Sequence, residues 1–181
     1  MTDTSQARYS TGSIIFHWVI AIGVIVNWRI AESAEHLEGA AKTAAIAPHK
    51  AIGITILVLS VLRLLWRFTH KPPPLSESLA SWERFLARAV HVIFYVLLIG
   101  LPIGGWMAGS HFELSISYFG LFEIPPLPVT PDPEAGMAVL DQHKAGGIFL
   151  LVLVALHIIG ALKHSLYDKV PSLSRMWFAR G

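Results

Sequence analysis

Nine histidines stand in a chain that has no cysteine, and two of them indicate a chemistry. His143 and His157 are fourteen residues apart. On an α-helix that spacing is ~1400° of rotation, about 40° short of a whole number of turns, with ~21 Å of rise. Both imidazoles therefore leave nearly the same face. They are too far apart to hold one metal ion together. They suit two flat metal cofactors stacked along the helix axis, each taking one axial ligand from this helix. A neutral imidazole ligates well through either ring nitrogen. The absence of cysteine excludes disulfides, thiolate zinc sites, cysteine-bound iron–sulfur clusters and covalently attached haem.

The elements that must position these rings are apolar. Hydrophobic residues make up 54% of the 181 and charged residues 14%, against about 25% charged in soluble domains. The net charge of +2 gives no basic surface for nucleic acid. Four apolar segments emerge, roughly Ser13–Ile30, Ala51–Trp66, Val90–Met107 and Ala145–Leu162. With their flanks they predict helices at about 13–31, 49–67, 88–108 and 143–165. Each approaches the ~20 residues that cross a bilayer. Whole turns such as Ile54–Leu62 and Ile148–Leu156 are apolar all round, which suits lipid rather than a soluble bundle. The expected fold is all-α: one integral membrane four-helix domain covering residues 1–181.

The connections read as polar or proline-broken. Residues 31–47 are Ala- and Glu-rich, residues 68–83 contain Pro72-Pro73-Pro74, and residues 110–141 form a long proline-rich loop. Proline triplets do not continue a helix. In the long loop, Tyr118, Phe119, Leu121, Phe122 and Ile124 suit a membrane interface. Ala31-Glu32-Ser33 resembles a cleavage site, but Arg29 interrupts the apolar run before it, so the first segment is expected to be retained. Neither end carries a lipidation motif.

Lysine and arginine set the orientation. Ten lie on the side of the tails and second connection: Arg8, Arg63, Arg67, Lys71, Arg84, Arg88, Lys163, Lys169, Arg175 and Arg180. Four lie on the other side: Arg29, Lys42, Lys50 and Lys144. Both termini are therefore expected in the cytoplasm, and the first and third connections in the periplasm.

Depth then sorts the histidines. His49 and His143 begin the second and fourth helices on the outer side. His17 begins the first on the inner side, level with His157. Two imidazoles per level suit haem iron, close both axial positions and leave an electron carrier rather than an oxygen binder. His91 shares the inner side with His17 and competes for its place. His36, His70 and His111 fall in connections and are expected to be solvated. His164 lies near the inner interface, seven residues past His157. Gly53, Gly146, Gly147 and Gly160 follow the ligand candidates and permit close approach. Arg63 and Arg67 suit lipid headgroups or haem propionates. A transporter or divalent-metal binder would need acids within the spans. None of the twelve acidic residues lies inside the four segments.

These residues resemble the bacterial cytochrome b561 family, which is related to the di-haem cytochrome b subunits of formate dehydrogenases and nickel hydrogenases. The resemblance runs through Ile15-Phe16-His17-Trp18, His49-Lys50-Ala51-Ile52-Gly53, Arg63-Leu64-Leu65-Trp66-Arg67, His91-Val92-Ile93-Phe94-Tyr95 with Leu101-Pro102-Ile103-Gly104, His143-Lys144 and Leu156-His157. It implies a multi-pass protein of the bacterial inner membrane with two haem b groups. His17 and His157 would ligate the inner haem, and His49 and His143 the outer one. It implies electron exchange with ubiquinone, fed by a periplasmic donor such as superoxide. Lys50 and Lys144 would form a cationic mouth at the outer site, and His164 would aid proton uptake by quinone. The alternative it implies is an electron-relay anchor within a larger dehydrogenase or hydrogenase complex.

Overall fold

The computed structural model describes residues 8–76 and 78–178. Four helices carry the fold: α1 (Thr11–Glu35), α2 (Gly39–Thr69), α3 (Ser81–Ser110) and α4 (Pro133–Leu166). Each is long and apolar enough to cross a membrane. Between α3 and α4 lies a small antiparallel hairpin, β1 (Ile116–Tyr118) and β2 (Phe122–Ile124).

Local chemistry sets the helix starts. The Ser10 hydroxyl accepts from Ser13 N at 3.4 Å and caps α1. The Glu83 carboxylate reaches back to Ala80 N at 3.0 Å and closes the first turn of α3. Asp132 accepts from Glu134 N and Ala135 N at 3.0 and 3.1 Å, with Pro133 at the first helical position of α4.

The helices run beyond their apolar cores. The segment read as a polar connection, 31–47, is largely helix. α1 continues to Glu35 and α2 begins at Gly39. Ala40, Ala41, Ala44, Ala45 and Ala47 favour helix whether or not lipid surrounds them, and α2 passes through Pro48. The 110–141 segment read as loop likewise holds the hairpin and the first turns of α4. At 34 residues α4 is ~51 Å long, well beyond ~30 Å of hydrocarbon.

α1 packs on α2, α2 on α3, and α3 on α4. Among the described residues, α3 is the helix against which α4 packs closely. The central buried cluster is small: Ile20, Val24, Ile56, Leu98 and Leu150. Leu150 lies seven residues from His143 and seven from His157, so this core occupies the level between them. Most other large apolar side chains point outward, among them Val58, Leu62, Leu65, Ile148 and Ile159, as a lipid-facing surface requires.

The first and last described segments meet at one end of the bundle. Tyr9 N donates to Arg175 O at 3.3 Å, and Trp18 Nε1 to Met176 O at 2.9 Å. Arg8 reaches Trp177 O. The buried Arg175 guanidinium donates to Pro74 O at 2.9 Å, tying the tail to the α2–α3 connection. This is the terminal end of the bundle, and the opposite one is the hairpin end. Arg180, one of the ten cations counted for the inner side, lies outside the described residues.

Candidate functional site

Helical periodicity brings the four histidines together as two pairs. At the hairpin end, the His49 and His143 rings are 5.9 Å apart between centroids and nearly perpendicular. At the terminal end, His17 and His157 are 6.3 Å apart, inclined at 66°. All four are half-buried. In each pair α4 supplies one ring, and the helix opposite is one it does not closely pack against, α2 or α1.

Each ring of the hairpin-end pair is moored to a backbone carbonyl. His49 Nδ1 is 3.1 Å from Asn27 O, and His143 Nδ1 is 2.9 Å from Leu101 O. A carbonyl only accepts, so both Nδ1 atoms carry the proton. In the neutral rings Nε2 then keeps its lone pair, the arrangement that suits a metal ligand. Asn27 also holds a buried Oδ1 with no partner among the described residues.

His143 can approach Leu101 because Gly105, one turn along α3, has no side chain. A Cβ there would come within 3.0 Å of His143 Cε1. The tethered ring has little freedom to give way. Gly105→Ala is therefore expected to lower stability by about 1–3 kcal/mol, as overpacking does. Gly104→Ala is the control, since its Cβ would meet nothing within 4 Å. Paired thermal melts in detergent check the difference, and equal midpoints would count against the contact. Of the glycines read from the sequence, Gly146 abuts Leu101 and Gly53 lies near Asn27, while Gly147 and Gly160 face open space.

The terminal-end pair is built differently. Arg63 Nη2 stands 3.3 Å from His17 Nδ1, and its guanidinium lies 5.9 Å from the Tyr95 ring centre. Arg63 and Arg67 also line a small pocket with Tyr9, Ser13, His70, Pro72 and Tyr95. His157 is braced by rings: His17, His91 at 5.7 Å and Phe94 at 5.4 Å. His91 thus joins the cluster as a third imidazole, its Nδ1 donating to Ala87 O at 2.5 Å.

The remaining site candidates lie outside the two ring pairs. Lys50 and Lys144 follow the hairpin-end histidines, one half-buried and one exposed, on separate helices. His164 is not part of either pair. Its Nδ1 lies 2.6 Å from Asp168, which also pairs with Lys163 at 2.8 Å, and Lys163 reaches Glu83 at 2.6 Å. The Lys163 and His164 hydrogen bonds hold the Asp168 carboxyl below its usual value, so the tie persists through neutral pH and loosens only as pH falls through that lowered value. Sequence reading missed this network, because Glu83 and Asp168 are isolated acids until the helix ends meet. His36 and His70 are exposed, as expected, although His70 stacks on Trp66 at 3.9 Å. His111 is half-buried and bonds Thr130 O.

The four membrane-spanning helices and their paired histidines define a multi-pass helical membrane protein. The chain belongs to the prokaryotic cytochrome b561 family, whose model it matches over residues 8–179. It is thus a multi-pass protein of the bacterial inner membrane with that family's role of transmembrane electron relay. It is 33% identical to cytochrome b561 homolog 2 of Escherichia coli K12, over 97% of this chain and 93% of that protein. Cytochrome b561 homolog 1 of the same organism is 25% identical over 93% and 96%. A probable superoxide oxidase, CybB, of Yersinia pestis is 29% identical over 93% and 95%.

Proposed function

We propose that this protein holds two b-type haems, one between His49 and His143 and one between His17 and His157, and passes electrons across the membrane between them. One observation carries the reading. The ring centres stand 5.9 and 6.3 Å apart, a separation at which both imidazoles of a pair would reach one metal held between them at bonds of about 2.0–2.1 Å. The free Nε2 atoms of His49 and His143 support it.

Haem iron would supply the one-electron redox chemistry. His49 and His143 hold their ring planes through the Asn27 and Leu101 carbonyls. With both imidazoles of a pair engaged, the haem would serve electron transfer rather than dioxygen binding. Arg63 and Arg67 are cations suited to haem carboxylates. The Lys and Arg distribution puts both termini in the cytoplasm, so the hairpin end faces the periplasm. There Lys50 and Lys144 attract an anionic one-electron donor, and superoxide has the right charge. At the inner end, with ubiquinone as acceptor, His164 passes protons. The stoichiometry balances: two superoxide anions each lose one electron and leave as dioxygen. Those electrons and two cytoplasmic protons convert one ubiquinone to ubiquinol.

Purified protein should give a reduced-minus-oxidised b-type spectrum with about two haems per chain. A colourless preparation from haem-replete cells would overturn the proposal. Stopped-flow mixing with superoxide and a quinone analogue then tests the donor and the acceptor.

A further inference from the structure

The hairpin between α3 and α4 is placed where an aqueous loop would not be. The Thr55 hydroxyl gives its one hydrogen to Ala51 O at 3.0 Å. At 3.1 Å it therefore accepts from the Tyr118 hydroxyl. Thr55 is six residues past His49, ~9 Å further along α2 toward the opposite leaflet. It is also rotated ~120° from His49, away from the paired rings. Val58, Leu62 and Leu65 lie within about 80° of it, and all three are exposed apolar residues on a membrane-spanning helix. Tyr118 is thus anchored at the head of the lipid-facing stripe of α2.

The hairpin is divided between polar and apolar parts. At its base, Glu123 accepts from Ser115 Oγ at 2.6 Å, and the Ser115 and Ser117 bonds hold its carboxyl below the usual range. Ile116 is buried against the bundle. At its tip, Phe119, Gly120 and Leu121 link the paired Tyr118 and Phe122; Phe119 and Gly120 both take positive φ, 52° and 74°, and Leu121 N donates to Tyr118 O at 3.0 Å, closing a tight turn. The Tyr118 and Phe122 rings stack across the strands at 4.9 Å. Phe119, Leu121 and Phe122 are 53%, 77% and 55% exposed. Leucine and phenylalanine at a tip beside the lipid stripe continue the apolar surface of the spans.

We propose that this hairpin is a membrane-interface wedge, with Phe119, Leu121 and Phe122 seated among the lipids of the leaflet at the hairpin end. Its backbone stays at the headgroup level, since open strand edges are not tolerated in hydrocarbon. Only the side chains descend, to the ~5–10 Å reached by interfacial apolar groups. Tyr118 locks the wedge against α2.

The cysteine-free chain makes the test direct. Leu121→Cys, carrying a nitroxide label, is reconstituted into phosphatidylcholine–phosphatidylglycerol vesicles. Power-saturation EPR then compares collisions with dissolved oxygen and with a water-soluble nickel chelate. Glu134→Cys, exposed in the first turn of α4, is the aqueous reference. The oxygen-to-nickel ratio at position 121 is expected to exceed that at 134 about tenfold. Tyr118→Phe in the Leu121→Cys background should move the label toward the aqueous ratio. A ratio at 121 equal to that at 134 overturns the proposal. So does a label shielded from both reagents with dipolar broadening that grows with protein density, since that result would seat the tip against a second copy.

Discussion

His143→Ala is expected to lower the haem content from about two per chain to about one, removing the hairpin-end centre and leaving the other spectrally intact. His157→Ala should do the converse. Each substitution leaves one imidazole facing a site that it cannot hold alone. The ~21 Å of helix between the two positions and the apolar core at Leu150 isolate the second centre. His91→Phe supplies the discriminating case. His91 lies closer to His157 than His17 does, 5.7 against 6.3 Å, so proximity alone does not separate the two. If His17 is the ligand, His91→Phe keeps both haems and His17→Ala loses one. The pyridine haemochrome assay with a protein determination reads all four variants. Loss of a haem from His91→Phe with retention in His17→Ala would reassign the site.

Arg63→Gln is expected to lower the midpoint potential of the terminal-end centre and leave the other unchanged. The two sites differ in what faces Nδ1. At the hairpin end, Nδ1 of each ring donates to a carbonyl, which makes the ligand more electron-rich and favours the oxidised metal. At the terminal end, His17 faces a guanidinium. A positive charge there favours the reduced metal, whose net charge is lower by one. At the effective dielectric of ~20 found near protein surfaces, a unit charge ~8 Å away is worth about 2 kcal/mol. Solvent discounts that to a roughly tenfold change in the reduced-to-oxidised ratio, or about 59 mV for one electron. Arg63→Lys should keep most of the potential. Spectroelectrochemical titration measures it, and a shift confined to the hairpin-end centre would refute the assignment.

How legible was this in the sequence? The pairs were, because helical periodicity is local: fourteen residues fix the face and rise of His143 and His157 on any straight helix. Matching depth then supplied His49 and His17. The moorings were not legible. The Asn27 and Leu101 carbonyls carry no side-chain signal, and Gly105 reads as one more small residue in Gly104-Gly105 until His143 lies across it. The helices were read too short, because apolar runs stop at the edge of the lipid while alanine continues to favour helix beyond it, as in 40–47. The hairpin was hidden among prolines because Phe119 and Gly120 do not spell the common Asn-Gly turn. The Glu83–Lys163–Asp168–His164 network depends on how two helix ends meet, which no linear spacing encodes.

The layer of Ile20, Val24, Ile56, Leu98 and Leu150 has an electrical consequence. Hydrocarbon side chains at mid-depth let an electron tunnel but offer a proton no water and no relay. Negative charge drawn inward from the hairpin side would cross uncompensated. If the hairpin end takes its electrons from the periplasm, as proposed, each turnover would then add to the transmembrane voltage instead of dissipating it.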